Sequence, residues 1–418
     1  MESEEFKRVE FQYGVILVRT RRFQSLMDKL GSFRISKPAA WVLLYLLPVS
    51  AFVGFYLFLS EASVLLSARG AAAAAFVRTI GPLANLGIPG INPYLPIVDG
   101  WLALIIAMVI HEGAHGVVAR NLGLPVKSSG LLFFLFVPIG AFVDVDEAAI
   151  RQAKPSYAAR VLAAGAGINL VTGLVCLLAM VVVVASFTPV VQGAGIVGVG
   201  SGTPAANAGL KVGDMVTQID GKNITDIGTV IGPNTTLKAG QTVNLTVYRS
   251  GDILHFPVKL ACCYVIQNVT TGQNITSYPY IGVEQVTGAQ LVSTVSTYAA
   301  PLGSPWQYVC IPTFPFCQDR VPFSDALSVF YTSPLGGWGP PLANLLYWLF
   351  FLNFNLAIFN ALPIYPLDGG QAFSVCVKAA GRGKLSEGTV MRITTMATLT
   401  VLALILSVVV APYLYNLI

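Results

Sequence analysis

Long apolar runs alternate with short charged connections along this chain, and five of the runs are long enough to cross a bilayer. A helix rises about 1.5 Å per residue, so a crossing takes roughly 20 mainly apolar residues. Residues 38–60, 100–120, 157–187, 341–362 and 390–411 meet that requirement. Residues 67–90, "SARGAAAAAFVRTIGPLANLGIPG", carry Arg69, Arg78 and several Gly and Pro, so they read as a surface loop. The run "LLFFLFVPIGAFV" at 131–143 is apolar but too short to span as a helix, and Pro138 and Gly140 break it. A re-entrant hairpin fits such a segment. Between the third and fourth runs the pattern changes to short alternating stretches with a Gly or Asp at each turn. "TVNLTVYR" at 242–249 and "ILHFPVK" at 253–259, joined by "SGD", read as a pair of strands.

Composition agrees with the pattern. Hydrophobic residues make up 55% of the 418 and charged residues 11%, against about 25% charged in soluble proteins. The N-terminus, "MESEEFKRVEFQYGVILVRTRRF", is charged and has no early apolar core, so it does not read as a cleavable signal peptide. The net charge is +5, but Lys and Arg are scattered, which excludes a nucleic-acid footprint. Basic residues instead concentrate in segments 1–37, 120–156 and 370–392. Basic loops stay inside, which puts these three segments in the cytoplasm and 188–340 outside, in a multi-pass protein of the cell membrane.

The acceptors for N-glycosylation follow the same division. Asn223, Asn234, Asn244, Asn268 and Asn274 each open an N-x-[ST] triplet, and all lie in the large outer loop. A Thr-rich β region also produces such triplets by chance. Cys262, Cys263, Cys310 and Cys317 share that loop, where disulfides are plausible. Adjacent cysteines rarely pair, so a Cys310–Cys317 bond is the simplest expectation.

Two of the three histidines sit four apart inside the second apolar run, in "HEGAH" at 111–115. Residues four apart share one helix face, so His111 and His115 can reach one ion, and neutral imidazole suits Zn²⁺. Glu112 is rotated by about 100° from His111. It can act as general base towards water at the ion without being a ligand. Ionisable groups within a membrane are costly and usually functional. A third ligand must then be a carboxylate or thiolate near the membrane, because His255 lies in the outer region. In "NFNLAIFNALPIYPLDGGQ" at 353–371, Pro363 and Pro366 break the helix, and Asp368 falls in the unwound part. Asp368 is the expected third ligand. Asp144, Asp146 and Glu147 read as a solvated turn rather than metal ligands.

The two motifs together resemble the site-2 protease family, whose members carry H-E-x-x-H on one helix and N-x-x-P-x-x-x-L-D-G on another. Here the second motif is Asn360, Pro363, Leu367, Asp368 and Gly369. The resemblance runs from about 90 to 375. "IPGINPYLP" (88–96) and "GAFVDVDE" (140–147) are similar to its archaeal branch. It implies an intramembrane zinc metalloprotease that cuts membrane-spanning proteins after a first outer cut. It also implies substrate binding by Asn360, a hairpin that pairs with unwound substrate, and, from "GAGIN" (165–169), Asn169 facing the cleft. A transporter with a metal-regulated site and an inactive scaffold are the rivals. The absence of paired repeats opposes the first, and the intact His111, Glu112, His115 and Asp368 oppose the second.

Within the outer loop, "GTPAANAGLKVGD…IDGK" resembles a PDZ domain over about 190–285. "YIGV", that is Tyr280, Ile281, Gly282 and Val283, resembles the peptide-carboxylate loop of circularly permuted members. Such a domain binds extended peptides by strand addition, or it is a steric cap that binds nothing. The expected fold is therefore a polytopic α-helical membrane protein of about five spans, with a re-entrant β-hairpin and an inserted extracytoplasmic PDZ-like β/α domain. Its parts are a cytoplasmic segment 1–37, a membrane part 38–187, the PDZ-like domain 188–290, a cysteine-bearing linker 291–340 and a second membrane part 341–418. The oligomeric state is not legible.

Overall fold

A computed structural model describes residues 8–12, 14–67, 70–85, 87–92, 95–134, 137–267, 274–300, 303, 325–382 and 384–414. The chain forms two compact units. One takes its described residues from the stretch up to Leu178 and from Leu345 onward, the other from the stretch between.

The first unit opens with a β-ribbon that the sequence pattern does not announce. Strands β1 (Val9–Gln12) and β2 (Val15–Thr20) pair antiparallel around Gly14, whose φ of +81° suits the tight turn. β2 then pairs with β3 (Val126–Phe134), and β3 with β4 (Val137–Val145), giving a four-stranded sheet in the order β1-β2-β3-β4. Segment 1–37 is thus part of the sheet and not a free cytoplasmic segment. Arg19 fixes it there: its guanidinium lies 3.4 Å from Asp144 and 3.1 Å from Glu10, over the Phe142 ring. The hairpin expected at 131–143 is present, but its turn falls between Phe134 and Val137. Pro138 and Gly140 lie inside β4 and do not make the turn. β4 is an edge strand of the sheet, a position that tolerates proline.

Helix α1 (Gln24–Ser32) follows β2, and α2 (Ser36–Leu66) is the first long apolar helix. Within the stretch read as a loop at 67–90, residues Gly70–Ile80 form helix α3. Five consecutive alanines explain this, alanine being the best helix former. The helix is 11 residues long, too short to cross, and Arg78 donates to the Pro412 carbonyl at 3.3 Å. The second long helix, α4 (Ile97–Asn121), carries His111, Glu112 and His115. The short α5 (Glu147–Gln152) is capped by Asp146, which accepts from Ala149 N at 3.0 Å and lies 3.3 Å from Lys127. Glu147 pairs with Arg151. All three acids after the hairpin therefore have structural partners. Helix α6 (Pro155–Ala185) is the third long helix.

The second unit is a mixed sheet over its own apolar core. It holds β5 (Ala194–Val199), the short α7 (Pro204–Ala208), β6 (Met215–Ile219), β7 (Thr242–Arg249) and β8 (Asp252–Lys259). β9 (Ala261–Gln267) pairs with β10 (Asn274–Tyr280), and β11 (Val283–Val286) returns to β5, for the order β8-β7-β6-β5-β11. Ile196, Val216, Ile219, Leu245, Val247 and Val258 fill the core. Asp214 is buried beneath it and takes both Arg249 nitrogens, at 2.6 and 2.7 Å. Asn223, Asn234 and Asn244 are exposed, Asn274 lies in β10, and Asn268 is outside the described residues. Cys262 and Cys263 are bonded to each other, against the expectation that neighbours do not pair. Cys310 and Cys317 lie outside the described residues. Helix α8 (Gly288–Ala299) closes this part of the chain with a capping box built on Thr287 and Gln290.

Helix α9 (Gly339–Ala361) is followed by a break and by α10 (Asp368–Ala380), and α11 (Glu387–Leu414) ends the described chain. Five helices are long and apolar enough to cross a membrane, and they coincide with the five runs named above. Gly54 of α2 packs against Ile358 and Leu362, where a Cβ would come within 2.7 Å of the isoleucine.

Candidate metal centre

The break between α9 and α10 places one carboxylate. Pro363 and Pro366 stop the helix at Ala361, and it restarts at Asp368. Thr398 of α11 braces the break, accepting from Tyr365 N at 3.0 Å and donating to the Pro363 carbonyl at 3.2 Å. Nothing in the local sequence marks that threonine. Gly369 follows the carboxylate because the backbone folds back: a Cβ there would lie 2.3 Å from the Ala361 carbonyl oxygen. The turn carries Asp368 to the two histidines. Its Oδ2 lies 3.0 Å from His111 Nε2 and 3.1 Å from His115 Nε2.

These three are the group among the described residues able to hold a metal ion, with ligand atoms all within 4.8 Å of one another. His111 and His115 are each 8% exposed, which suits neutral ligands in a dry site. Helix α6 supplies the rest of the cradle at four-residue spacing: Val161, Gly165 and Asn169. The Val161 carbonyl lies 2.7 Å from His115 Nδ1, so that nitrogen carries the proton and Nε2 presents its lone pair inward. A Cβ on Gly165 would sit 2.4 Å from Nε2 of both histidines. The space that this glycine leaves open lies where an ion shared by the two imidazoles would sit, and the donor set fits one.

Asn169 completes the arrangement. The sequence reading turned it towards substrate; its buried amide instead lies 3.1 Å from His111 Nδ1. Its Oδ1 has no hydrogen-bond partner among the described residues. A metal on His111 Nε2 requires a proton on Nδ1, and that proton needs an acceptor. Turning the amide over presents Oδ1 to it and relieves the orphaned oxygen. Asn169→Leu removes this partner while filling the same space. Metal affinity is expected to fall by roughly 10- to 100-fold, read by competition with a chromophoric chelator. Unchanged affinity would leave Asn169 no role in orienting the ring.

Glu112 stands outside the ligand group. Its Oε2 accepts from Val143 N of β4 at 3.0 Å, which ties the hairpin to the metal-site helix. That link was not legible in the sequence. Asn360 is half-buried in the last turn of α9, one residue before the break. In the second unit, Tyr280 ends β10, Val283 opens β11, and Ile281 and Gly282 join them with their carbonyls held by Ala205 N and Gly200 N. Gly282 has φ +82°, and a Cβ there would meet Thr203 at 2.3 Å. A groove of about 720 Å³ runs beside β11, lined by residues 283–285 and 231–233 among others.

Several known proteins are similar to this chain over most of its length. An uncharacterised protein of Methanocaldococcus jannaschii is 24% identical over 359 residues, covering 85% of this chain and 76% of that protein. A putative zinc metalloprotease of Clostridium perfringens is 24% identical over 352 residues, covering 76% of this chain and 98% of that protein. A putative zinc metalloprotease of Mesorhizobium japonicum is 27% identical over 202 residues, 44% of this chain and 52% of that protein. Peptidase family M50 matches residues 100–406, a stretch that holds both histidines, Glu112, Asn169 and the Asp368 turn. With a match over most of its length and the ligand set assembled within it, the chain belongs to peptidase family M50, the site-2 protease family.

Proposed function

We propose that the protein is an intramembrane zinc endopeptidase that cuts membrane-spanning segments of other proteins, after a first cut has trimmed their outer part. The observation that carries this reading is the convergence of His111, His115 and Asp368, with Glu112 beside them, on a helix apolar and long enough to span a bilayer. His111, His115 and Asp368 would hold the zinc. When bound there, zinc supplies Lewis acidity to a peptide carbonyl and to water.

The remaining steps belong to the chain. Glu112 takes a proton from the attacking water and returns it to the leaving nitrogen. The Val143 N–H holds this carboxylate in place between the site and the hairpin. A peptide must be extended to be cut, and β4, as an edge strand, offers backbone groups for pairing with an unwound substrate. Asn360, one residue before the break, is placed to hold substrate backbone.

The second unit is proposed to be a PDZ-like domain on the outer side of the cell membrane. Its groove beside β11 and the Tyr280–Val283 loop support reading of a trimmed peptide end by strand addition; exclusion of bulky substrates by size is the other use of the same domain. Its exposed asparagines are candidates for glycosylation, and the basic loops place the N-terminus in the cytoplasm. The partners are membrane-spanning substrates and the bilayer, not nucleic acid.

The direct test uses the purified full chain with a transmembrane model substrate in lipid nanodiscs. Cleavage within the apolar segment is expected, with loss under a zinc chelator and recovery on adding zinc. Cleavage that survives complete removal of metal, or a protein that holds zinc and cuts only soluble peptides, would overturn the reading.

A further inference from the structure

Helix α1 has three different sides. Its buried side, Met27 and Gly31, packs on α4. A second side carries Phe23, Leu26 and Leu30, which are 54%, 50% and 38% exposed. At 3.6 residues per turn these fall on one stripe, roughly a quarter turn from the buried side. The third side is polar, with Ser25, Asp28 and Lys29. Just beyond the helix, Phe33 and Ile35 are exposed as well, at 48% and 71%. Ser36 then opens α2, which is apolar and long enough to span.

We propose that α1 is an interfacial anchor whose apolar stripe lies in the headgroup region of the inner leaflet, held there by anionic phospholipid. Two observations choose this occupant over a protein. The first is continuity: the stripe leads without interruption into a membrane span, so it lies at the depth where that span meets water. The second is charge. Lys29 borders the stripe, and Arg34 and Lys37 flank its exit into α2; all three are exposed. No acid pairs with these three cations among the described residues, whereas the one acid of the helix, Asp28, is taken by Arg120 at 2.7 Å. A row of unpaired cations beside an exposed apolar stripe complements an anionic headgroup layer.

The anchor would reach the metal-site helix through direct packing. A Cβ on Gly116 would lie 2.5 Å from Met27 Sδ, and Asn121 Nδ2 donates to the Gly31 carbonyl at 2.6 Å. Gly116 directly follows His115. Seating α1 on the leaflet therefore steadies the helix turn that carries the second histidine.

The test reads α1 itself, so it does not depend on peptidase activity. Amide exchange of residues 24–32 is followed in the full chain, in nanodiscs of phosphatidylcholine alone or mixed with phosphatidylglycerol. Each basic residue near an anionic surface contributes about 1 kcal/mol, roughly fivefold. Exchange is expected to slow by about tenfold or more in the anionic discs. The gain should vanish at high salt. It should also vanish in the K29Q/R34Q/K37Q variant, with exchange in α4 unchanged in neutral discs. Leu26→Ser with Leu30→Ser should weaken protection in both lipids. Equal exchange in the two lipids would overturn the proposal. So would protection that ignores headgroup charge but rises with protein concentration, which would assign the stripe to a second copy of the chain.

Discussion

Gly165→Ala abolishes metal binding, and activity with it. The added Cβ would lie 2.4 Å from Nε2 of both His111 and His115 and 2.5 Å from His111 Cε1. Contacts that short must be relieved by movement, and these rings cannot swing aside freely. The His115 Nδ1 is held by the Val161 carbonyl, and His111 Nδ1 by Asn169. The methyl group therefore occupies the place of the ion. The expected loss exceeds the roughly 10- to 100-fold that follows removal of an outer-shell partner. Zinc per chain, measured by plasma emission after purification, should fall from near one towards background. Overpacking costs about 1–3 kcal/mol of stability in its own right, so melting of the variant is compared with metal-free wild type rather than with the loaded protein. Gly113→Ala is the internal control. It lies in the same five-residue motif, yet a Cβ there meets nothing within 4 Å, and metal content should not change. If the Gly165 variant binds zinc as tightly as wild type, the ion does not sit between the two imidazoles.

How much of this was legible beforehand depended on the range of the interactions. The five spans follow from apolar length alone, so position along the chain suffices. His111 and His115 follow from helical spacing, which is also local. Asp368 lies 257 residues from His111, yet it could be chosen because the histidine supply ran out and two prolines marked a break. What failed was what depends on partners distant in sequence with no motif of their own. β1 and β2 are 4 and 6 residues long and carry charges, and only pairing with β3 makes them strands. The hairpin turn was placed at Pro138, because proline reads as a breaker when the strand is not known to lie at an edge. Asn169 was seen as a polar residue in an apolar helix, and that pattern alone cannot say whether the amide faces substrate or an imidazole. Gly165 was quoted within "GAGIN", but the need for glycine there appears only when α4 is packed against α6. The α3 error was a wrong weighting: the arginines and prolines outvoted an alanine run that folds locally.

Glu112→Gln should leave the metal in place and remove the activity, which separates the two roles inside one five-residue motif. The carboxylate is not among the three ligand groups, so its charge is not needed to hold the ion. Glutamine keeps the size and an acceptor oxygen, so the bond from Val143 N survives and β4 stays tied to α4. What glutamine lacks is the capacity to take a proton from water. Loss of general acid–base help costs roughly 10²- to 10⁴-fold in rate, and cleavage of a transmembrane model substrate should fall by at least that much with zinc still near one per chain. Glu112→Ala is the informative contrast. It also breaks the Val143 contact, so slower cleavage there mixes lost chemistry with a displaced hairpin, which would appear as faster amide exchange in β4. Asp368→Asn acts on the other half of the division: it weakens a ligand, so metal and activity should fall together. Wild-type cleavage by the Glu112→Gln protein would remove the glutamate from the chemistry. An inactive Glu112→Gln protein that had also lost its zinc would instead make Glu112 a ligand, and the site would then hold the ion with four side chains and leave no open position for substrate.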